Sequence, residues 1–450
     1  MEREKIAHYS RAYAIIRGYA TFMHRIFYKR VIIHGKENIP DGESVIFTPN
    51  HQNALMDALA IVCTVSGQPV FLARSDIFKG KLVVFLLNTF KILPVYRIRD
   101  GVASLQKNAA VFDTVINVLL NKRPVGIMPE GNHGDQRKLR PIGKGVFRMA
   151  FQTQEKLKNG ASVLLIPTGL DYSNYQKYNQ DLLVNYGQPI RVADYMDLYR
   201  TEPVKATNEL KKRLIEGMSH VMIDIQNKDY YQTMQDLRSI RESKSRKGGK
   251  RGVYEKFLED KKMIGTLENF AVNFPDEMEK LHEEVSEYRD LLNKLNLRSW
   301  VASKPNYSFL MMLIQGVFML LTLPLFIAGF ILNYLPFKIP VLATKKVKDP
   351  QFVSSFKFVI MLIVFPVFYL ILFGIYSIFI SDIWTRLAAW VVTPLIGLFA
   401  FRYYVWFRKI IAKWKFSSGI LKRKVEYARL RELFISINQH VSDAENRIRE

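Results

Sequence analysis

Cysteine is almost absent from this chain: Cys63 is the only one in 450 residues. A single thiol excludes an intramolecular disulfide, and it excludes zinc sites built on paired cysteines. The composition therefore gives no support to an oxidising compartment. The first ten residues are charged and lack an apolar core before a small-residue cleavage site, so a cleaved secretory signal is not expected.

Acidic residues are scarce relative to basic ones. The 65 lysines and arginines exceed the 41 aspartates and glutamates, which gives a formal net charge of +24 at pH 7. Such a chain is attracted to polyanions, and nucleic acid and an anionic membrane surface are the two obvious candidates. The polar part of the chain carries no stacking aromatics or groove-entering motif, so nucleic acid is not an expected partner.

Long apolar runs are confined to the C-terminal part of the chain. The three runs are 309–337, 358–380 and 387–407. A membrane span needs about 20 apolar residues, and each run reaches that length. Basic residues flank this region on both sides, so the positive-inside rule favours a first run that enters and leaves on the cytoplasmic side or is broken near Pro324. The second and third runs then form a hairpin. We expect an integral membrane protein whose polar front half lies on the cytoplasmic face.

The polar front half alternates short β-branched runs with longer helical patterns. The predicted strands are 44–48, 69–72, 125–128 and 162–167, and the predicted helices are 56–65, 101–120, 145–157 and 203–225. This alternation predicts an α/β domain over residues 31–225, with a mostly parallel sheet flanked by helices.

The remaining segments are helical patterns and one linker. Residues 1–30 place aromatic and apolar residues near helical spacing among arginines, which predicts an amphipathic helix. That helix either lies in the plane of the membrane surface or caps the domain core. Residues 226–305 form a helical insertion, with a solvated basic linker at 238–251 and a charged helical spacer broken at Pro275. The last boundaries are 306–407 for the transmembrane region and 408–450 for a basic C-terminal helix.

Two candidate catalytic residues follow the first predicted strand of the domain. His51 stands in a turn and Asp57 in the helix that follows it. If His51 lies outside that helix, Asp57 can accept its Nδ1 proton and leave Nε2 free to take a proton from a substrate hydroxyl. This is the logic of a catalytic triad in which the acceptor alcohol is the nucleophile. Considered alone, a turn histidine and a helix aspartate more often have ordinary structural roles.

Other residues have side chains or positions that suit a phosphate or a hydroxyl. Arg97 ends an apolar run, where its planar guanidinium suits a phosphate. Glu130 follows a predicted strand and can hold acceptor hydroxyls or orient a cation, while Gly131 allows close backbone approach. Lys144 precedes a helix start whose free N–H groups also suit a phosphate. Each of these residues has an ordinary surface interpretation when it is taken alone.

His133 and Asp135 follow Gly131 closely enough to raise the question of a metal ion. No third ligand stands at a recognisable spacing from them. We therefore expect no metal site.

The order of these motifs resembles a known enzyme family. Asn-His with its Asp, then Pro-Val-Tyr-Arg, Pro-Glu-Gly and Ile-Pro, all within residues 50–168, resemble the four sequence blocks of the glycerol-phosphate and lysophospholipid acyltransferases, whose domain is called PlsC-like. The resemblance covers roughly residues 30–225. The roles it implies are a catalytic dyad of His51 and Asp57, an acceptor-phosphate ligand at Arg97, acceptor-site residues at Glu130 and Gly131, and a structural block at Pro167.

One departure from the family pattern concerns spacing. The family usually has four residues between the histidine and the aspartate, whereas five stand between His51 and Asp57. The longer spacing resembles the yeast-type glycerol-3-phosphate/dihydroxyacetone-phosphate acyltransferases. A role for Asn53 as the N-cap of the following helix would explain the extra residue.

The resemblance implies a membrane O-acyltransferase of phospholipid biosynthesis. It would transfer a fatty acyl group from acyl-CoA or acyl carrier protein to glycerol-3-phosphate or 1-acyl-glycerol-3-phosphate. The donor is a co-substrate and no cofactor is implied, so the expected partners are membrane lipid, acyl donor and glycerol-phosphate acceptor. The alternative is a non-catalytic membrane scaffold that binds anionic lipid through an acyltransferase-like fold. The presence of His51, Asp57, Arg97 and Glu130 argues against that alternative.

Overall fold

The computed structural model describes residues 6–96, 102–158, 160–245, 252–304 and 307–448. The chain divides into two compact units. Unit 1 contains Met1–Asp224 and Lys346–Val359, and unit 2 contains Ile225–Lys345 and Ile360–Glu450. We call Lys346–Val359 the 346–359 segment. Nothing in the sequence pattern indicates that this segment groups with the front half of the chain.

A mostly parallel sheet forms the centre of unit 1. Its strands are β1 (Arg30–His34), β2 (Ser44–Pro49), β3 (Val70–Arg74), β4 (Ile92–Val95), β5 (Val125–Gly126), β6 (Val163–Tyr172), β7 (Asp181–Tyr186) and β8 (Ile190–Arg191). The order across the sheet is β1-β7-β6-β2-β5-β3-β4, with β8 paired to β6. The β6 strand pairs antiparallel with β7 and β8, and the other pairs are parallel. The predicted fold class is confirmed.

Helices cover the sheet of unit 1. They are α1 (Arg11–Phe27), α2 (Leu55–Val62), α3 (Lys81–Thr89), α4 (Val102–Leu120), α5 (Gly145–Lys156), α6 (Met196–Thr201) and α7 (Pro203–Val221). Helix α7 shows the pattern that builds this layer: Pro203 occupies its first turn, and Leu210, Leu214 and Met218 are buried one turn apart. These side chains join Phe147 of α5 in one hydrophobic core.

Helix α1 has two apolar faces. Ser10 caps it by accepting the N–H of Tyr13 at 3.2 Å. Tyr13 and Phe27 are buried within unit 1, whereas Ile15 and Phe22 are 74% and 61% exposed. The helix therefore covers the domain core with one face and presents large apolar side chains on the other.

Unit 2 is helical throughout its described elements. These are α8 (Tyr231–Ser245), α9 (Val253–Asn273), α10 (Pro275–Lys294), α11 (Phe309–Ala343), α12 (Val353–Phe379, whose first residues belong to unit 1), α13 (Ile383–Leu421) and α14 (Val425–Arg447). Helices α9 and α10 lie in the segment that was predicted to be a charged helical spacer. Pro275 begins α10, because a backbone N–H in the first turn of a helix has no partner within the helix and proline lacks that N–H.

The prediction of a solvated linker over 238–251 is wrong for its first part. Helix α8 continues to Ser245, and residues 246–251 lie outside the described part of the chain. Leu237 is buried on this helix. The buried guanidinium of Arg238 donates to the Asp260 carboxylate at 2.8 Å. The sequence composition predicts that Arg238 is exposed to solvent, but in the structure it forms a buried ion pair with Asp260.

Helices α11, α12 and α13 are long and apolar enough to cross a membrane, as the sequence predicted. The alternative of a break near Pro324 is wrong, because α11 continues through that residue. A proline removes one hydrogen bond and bends a helix, but a span can continue past it. Helices α11 and α13 are joined by the Tyr403 hydroxyl, which donates to the Met319 carbonyl at 2.9 Å.

Candidate active site

The turn that carries His51 connects the central strand β2 to helix α2. Asn50 anchors this turn to β6, because its side chain donates to the Leu170 carbonyl at 3.2 Å and accepts the Leu170 N–H at 2.7 Å. The register of the sheet also sets Pro167 of β6 directly beside Thr48 of β2. Pro167 therefore lies in the wall next to the turn, where the structural block was predicted.

The predicted contact between His51 and Asp57 is present. Nδ1 of His51 lies 2.9 Å from Oδ2 of Asp57. The Asp57 side chain is fully buried, and that of His51 is 16% exposed. An Nδ1–H that donates to the carboxylate leaves Nε2 without its proton, which is the tautomer a general base needs.

Asp57 is held by more than its bond to the histidine. Its Oδ2 also accepts the backbone N–H groups of Gln52 at 2.8 Å and Asn53 at 2.7 Å, and its Oδ1 accepts the hydroxyl of Tyr172 at 2.7 Å. Burial and the neighbouring Asp57 carboxylate raise the pKa of Tyr172 well above its usual value, so this hydroxyl stays protonated as a donor. Four donors thus converge on one buried carboxylate and fix its orientation.

The prediction that Asn53 caps helix α2 is wrong. The N-cap position is Ala54, which has φ 43° and ψ −121° and supplies no side-chain bond to the helix. The Asp57 carboxylate reaches back to the N–H groups of the turn itself. The φ of Ala54 is positive, a conformation that a residue with a Cβ rarely adopts.

Glu130 pairs with an arginine that sequence reasoning missed. Its Oε2 accepts from Nη2 of Arg140 at 2.6 Å and from Nε at 2.9 Å, whereas its buried Oε1 has no hydrogen-bond partner among the described residues. Burial raises the pKa of Glu130 to about 7, and the Arg140 guanidinium opposes that shift. Arg140 also donates to the His51 carbonyl at 2.9 Å. Arg140 therefore links Glu130 to the turn that carries His51.

The loop after β5 folds back on the same turn. Gly131 has φ +68°, in the left-handed region that glycine adopts at little cost. The N–H of Gly134 donates to the His51 carbonyl at 3.1 Å. Lys144 is exposed at the N-cap position of α5, and the neighbouring Gly143 N–H donates to the Pro129 carbonyl at 2.8 Å.

Arg97 lies outside the described residues, so the structure does not place it. The chain is described up to Tyr96, whose N–H and carbonyl are both bound by the Asn108 side chain of α4, at 2.9 and 2.8 Å.

His133 and Asp135 do not gather metal ligands. No group of three or more histidine, cysteine or acidic side chains suitable for a metal occurs in the part of the chain that is described. Nε2 of His133 instead lies 3.3 Å from Oδ2 of Asp349, and its ring centroid is 5.5 Å from that of His51. Burial lowers the pKa of His133, while the Asp349 hydrogen bond opposes the change. Asp349 was not anticipated because it stands more than 200 residues further along the chain.

Comparison with known proteins matches the front part of the chain. The family model described as Acyltransferase matches residues 30–170. A protein of Borreliella burgdorferi named 1-acyl-sn-glycerol-3-phosphate acyltransferase is 27% identical over 199 residues, which cover 43% of this chain and 74% of that protein. Glycerol-3-phosphate O-acyltransferase 2 of Saccharomyces cerevisiae is 30% identical over 135 residues, 30% of this chain but only 18% of the yeast protein.

Solved structures are also similar to this chain. Among them is the 1-acyl-sn-glycerophosphate acyltransferase PlsC from Thermotoga maritima, with 19% sequence identity and a TM-score of 0.31. The match covers 44% of this chain and 79% of that one.

Proposed function

We propose that this protein transfers a fatty acyl group from a thioester donor to a hydroxyl of a glycerol-phosphate acceptor. The match of residues 30–170 to the family model described as Acyltransferase supports this proposal. The donor is acyl-CoA or acyl carrier protein, and the acceptor is glycerol-3-phosphate or 1-acyl-glycerol-3-phosphate. The observation that carries the proposal is the 2.9 Å bond between His51 and the fully buried Asp57. It leaves a histidine nitrogen available to a substrate.

His51 and Asp57 divide the proton chemistry between them. Nε2 of His51 takes the proton from the acceptor hydroxyl as that oxygen attacks the thioester carbonyl. The imidazolium that forms is stabilised by the Asp57 carboxylate. When the tetrahedral intermediate collapses, the carbon–sulfur bond breaks, the electron pair leaves with sulfur, and the imidazolium returns its proton to the thiolate. The products are an ester and a free thiol.

Glu130 is proposed to hold the acceptor. Its Oε2 is occupied by Arg140, whereas its Oε1 is buried and lacks a partner among the described side chains and backbone groups. An acceptor hydroxyl that donates to this oxygen would satisfy it. A Cβ added to Gly131 would meet no described atom within 4 Å beyond its chain neighbours. Arg97 and Lys144 are proposed to bind the acceptor phosphate.

The membrane is the proposed source and destination of the amphiphilic substrates. Helix α1 presents the exposed side chains of Ile15 and Phe22 beside basic residues, a combination that suits an anionic lipid surface. The basic loops around α11, α12 and α13 favour a cytoplasmic location for unit 1.

The test is acyl transfer by the full-length protein purified in detergent. Palmitoyl-CoA and palmitoyl-acyl carrier protein are each supplied with glycerol-3-phosphate and with 1-acyl-glycerol-3-phosphate, and product is identified by mass spectrometry. We expect the protein to use one donor and acceptor pair, and we expect His51→Ala to abolish product formation. The control His220→Ala, which changes an exposed histidine of α7, should retain it. Absence of product from folded wild-type protein with every pair would favour the non-catalytic lipid-binding scaffold instead.

A further inference from the structure

The 346–359 segment contacts the turn that carries the catalytic residues. Oγ of Ser355 accepts the N–H of Leu55 at 3.1 Å and lies 3.4 Å from the Asn53 carbonyl, to which it donates. Ser355 is 6% exposed. These bonds join residues about 300 positions apart in the sequence, so no local pattern could have indicated them.

Helix α2 needs this contact because its own N-cap is missing. The first N–H groups of a helix have no partner within the helix, and a side-chain oxygen at the N-cap position usually supplies one. Ala54 occupies that position and has no such oxygen. Oγ of Ser355 accepts the N–H of Leu55, the first residue of α2, and so supplies the hydrogen bond that an N-cap side chain would otherwise provide. Asp57 lies in this first turn, so the cap acts on the residue that orients His51.

The same segment also binds His133, whose ring contacts the ring of His51. Asp349 binds Nε2 of His133 at 3.3 Å, and the Phe352 ring lies 4.7 Å from the His133 ring. His133 in turn stands edge-to-face against His51, with an interplanar angle of 87°. The His51 ring therefore contacts both the Asp57 carboxylate and a histidine that is bound by the segment.

The segment is fixed within unit 1 by further contacts. Ser354 donates to the Tyr175 carbonyl, and Nζ of Lys357 donates to the Gln176 carbonyl at 2.8 Å. The Phe358 ring is fully buried, with its centroid 5.8 Å from that of Phe27. These contacts hold the part of the segment around Ser355 against unit 1.

We propose that the 346–359 segment is a positioning element of the acyl-transfer site, in which Ser355 caps helix α2 and Asp349 holds His133 against His51. The inference rests on the proposed function, because it concerns the same dyad. In sequence the segment follows the first apolar helix, α11, and includes the start of the second, α12. Formation of the active site therefore requires a part of the chain that lies beyond the first candidate membrane span and far outside residues 30–170.

The test compares Ser355→Ala with Ser355→Thr in the full-length protein in detergent. The matched control is Ser442→Ala, which removes a hydroxyl that donates within helix α14. Loss of an N-cap contact predicts a fall in kcat of about tenfold in Ser355→Ala. The KM values should stay within about twofold of wild type, because the cap acts on the dyad rather than on substrate binding. Ser355→Thr keeps the hydroxyl and should recover most of the lost rate.

Three results would overturn the inference: a kcat for Ser355→Ala equal to that of Ser442→Ala, no recovery in Ser355→Thr, or a loss of rate equal to the fraction of Ser355→Ala protein that is unfolded at the assay temperature. A second readout does not depend on activity. The proton shared by His51 and Asp57 should give a downfield NMR signal that is absent in His51→Ala and shifted in Ser355→Ala but not in Ser442→Ala. An unshifted signal in Ser355→Ala would contradict this inference whether or not the wild-type protein transfers acyl groups. Absence of acyl transfer by the wild-type protein would refute the proposed function separately.

Discussion

Replacing Asp57 by asparagine removes one charge from the site while preserving most of its contacts. The amide oxygen can occupy the position of Oδ2, where it accepts from His51 and from the backbone N–H groups of Gln52 and Asn53. The amide nitrogen then faces the Tyr172 hydroxyl, which can rotate to accept instead of donate. The variant should therefore fold, and its defect should come from the lost carboxylate charge.

The expected size of that defect follows from the role of the carboxylate. In the proposed mechanism, Asp57 stabilises an imidazolium that exists only after His51 has taken the substrate proton. The charge of Asp57 then acts on the transition state rather than on substrate binding. General-base steps of this kind contribute about 10²- to 10⁴-fold to the rate, or roughly 3 to 5 kcal/mol. We expect kcat to fall within that range and the KM values to change little.

The assay is release of free thiol from the thioester donor, followed continuously with a thiol reagent, with ester product confirmed by mass spectrometry. Asp113→Asn is the matched control, because it removes the same charge from an exposed position of α4. A kcat for Asp57→Asn above one tenth of the wild-type value, in protein with an unchanged unfolding temperature, would refute the dyad mechanism.

Three further predictions concern the titrating groups around the site. Arg140→Met removes the cation that opposes the effect of burial on Glu130, so the pKa of that carboxyl should rise above about 7 and the acid limb of the kcat/KM profile should move to higher pH. Because the pKa of Glu130 is raised from 4.5 to about 7 on folding, the folded protein binds this proton more tightly than the unfolded chain does. The contribution of proton binding to the free energy of unfolding is fully present below pH 4.5 and is lost as the pH rises to about 7. Thermal unfolding should therefore show wild type losing stability relative to Glu130→Gln across that window. The charged groups that act on His133 are Asp349, His51 and Arg140. Asp349→Asn removes the one that raises its pKa, so histidine NMR titration should show the His133 pKa falling further.

Much of unit 1 could be predicted from local sequence because its signals are local. The run 44–48 has the β-branched and aromatic residues of a buried strand, and it forms β2 with one more residue at its end. The turn after a strand is where catalytic side chains gather in parallel sheets, so His51 could be singled out before its surroundings were known.

The parts of the site that sequence reasoning missed depend on distant contacts. Tyr172 reaches Asp57 because β6 continues past the proline at which the predicted strand ended. Ser355 and Asp349 come from a segment that composition assigns to the membrane region. Asn53 was a reasonable N-cap by residue type. In the structure Ala54 occupies that position, and the N–H of Asn53 donates to the Asp57 carboxylate. Local propensity cannot report such pairings, since they are set by packing.

The central claim is that His51 is the general base of acyl transfer, and one measurement tests it most directly. Transfer of radiolabelled palmitate from palmitoyl-CoA to glycerol-3-phosphate and to 1-acyl-glycerol-3-phosphate is followed in His51→Gln beside His220→Gln, at equal concentrations of folded full-length protein. The account predicts a loss of at least about a hundredfold in His51→Gln and none in His220→Gln. A His51→Gln variant that retained more than a tenth of the wild-type rate would contradict it.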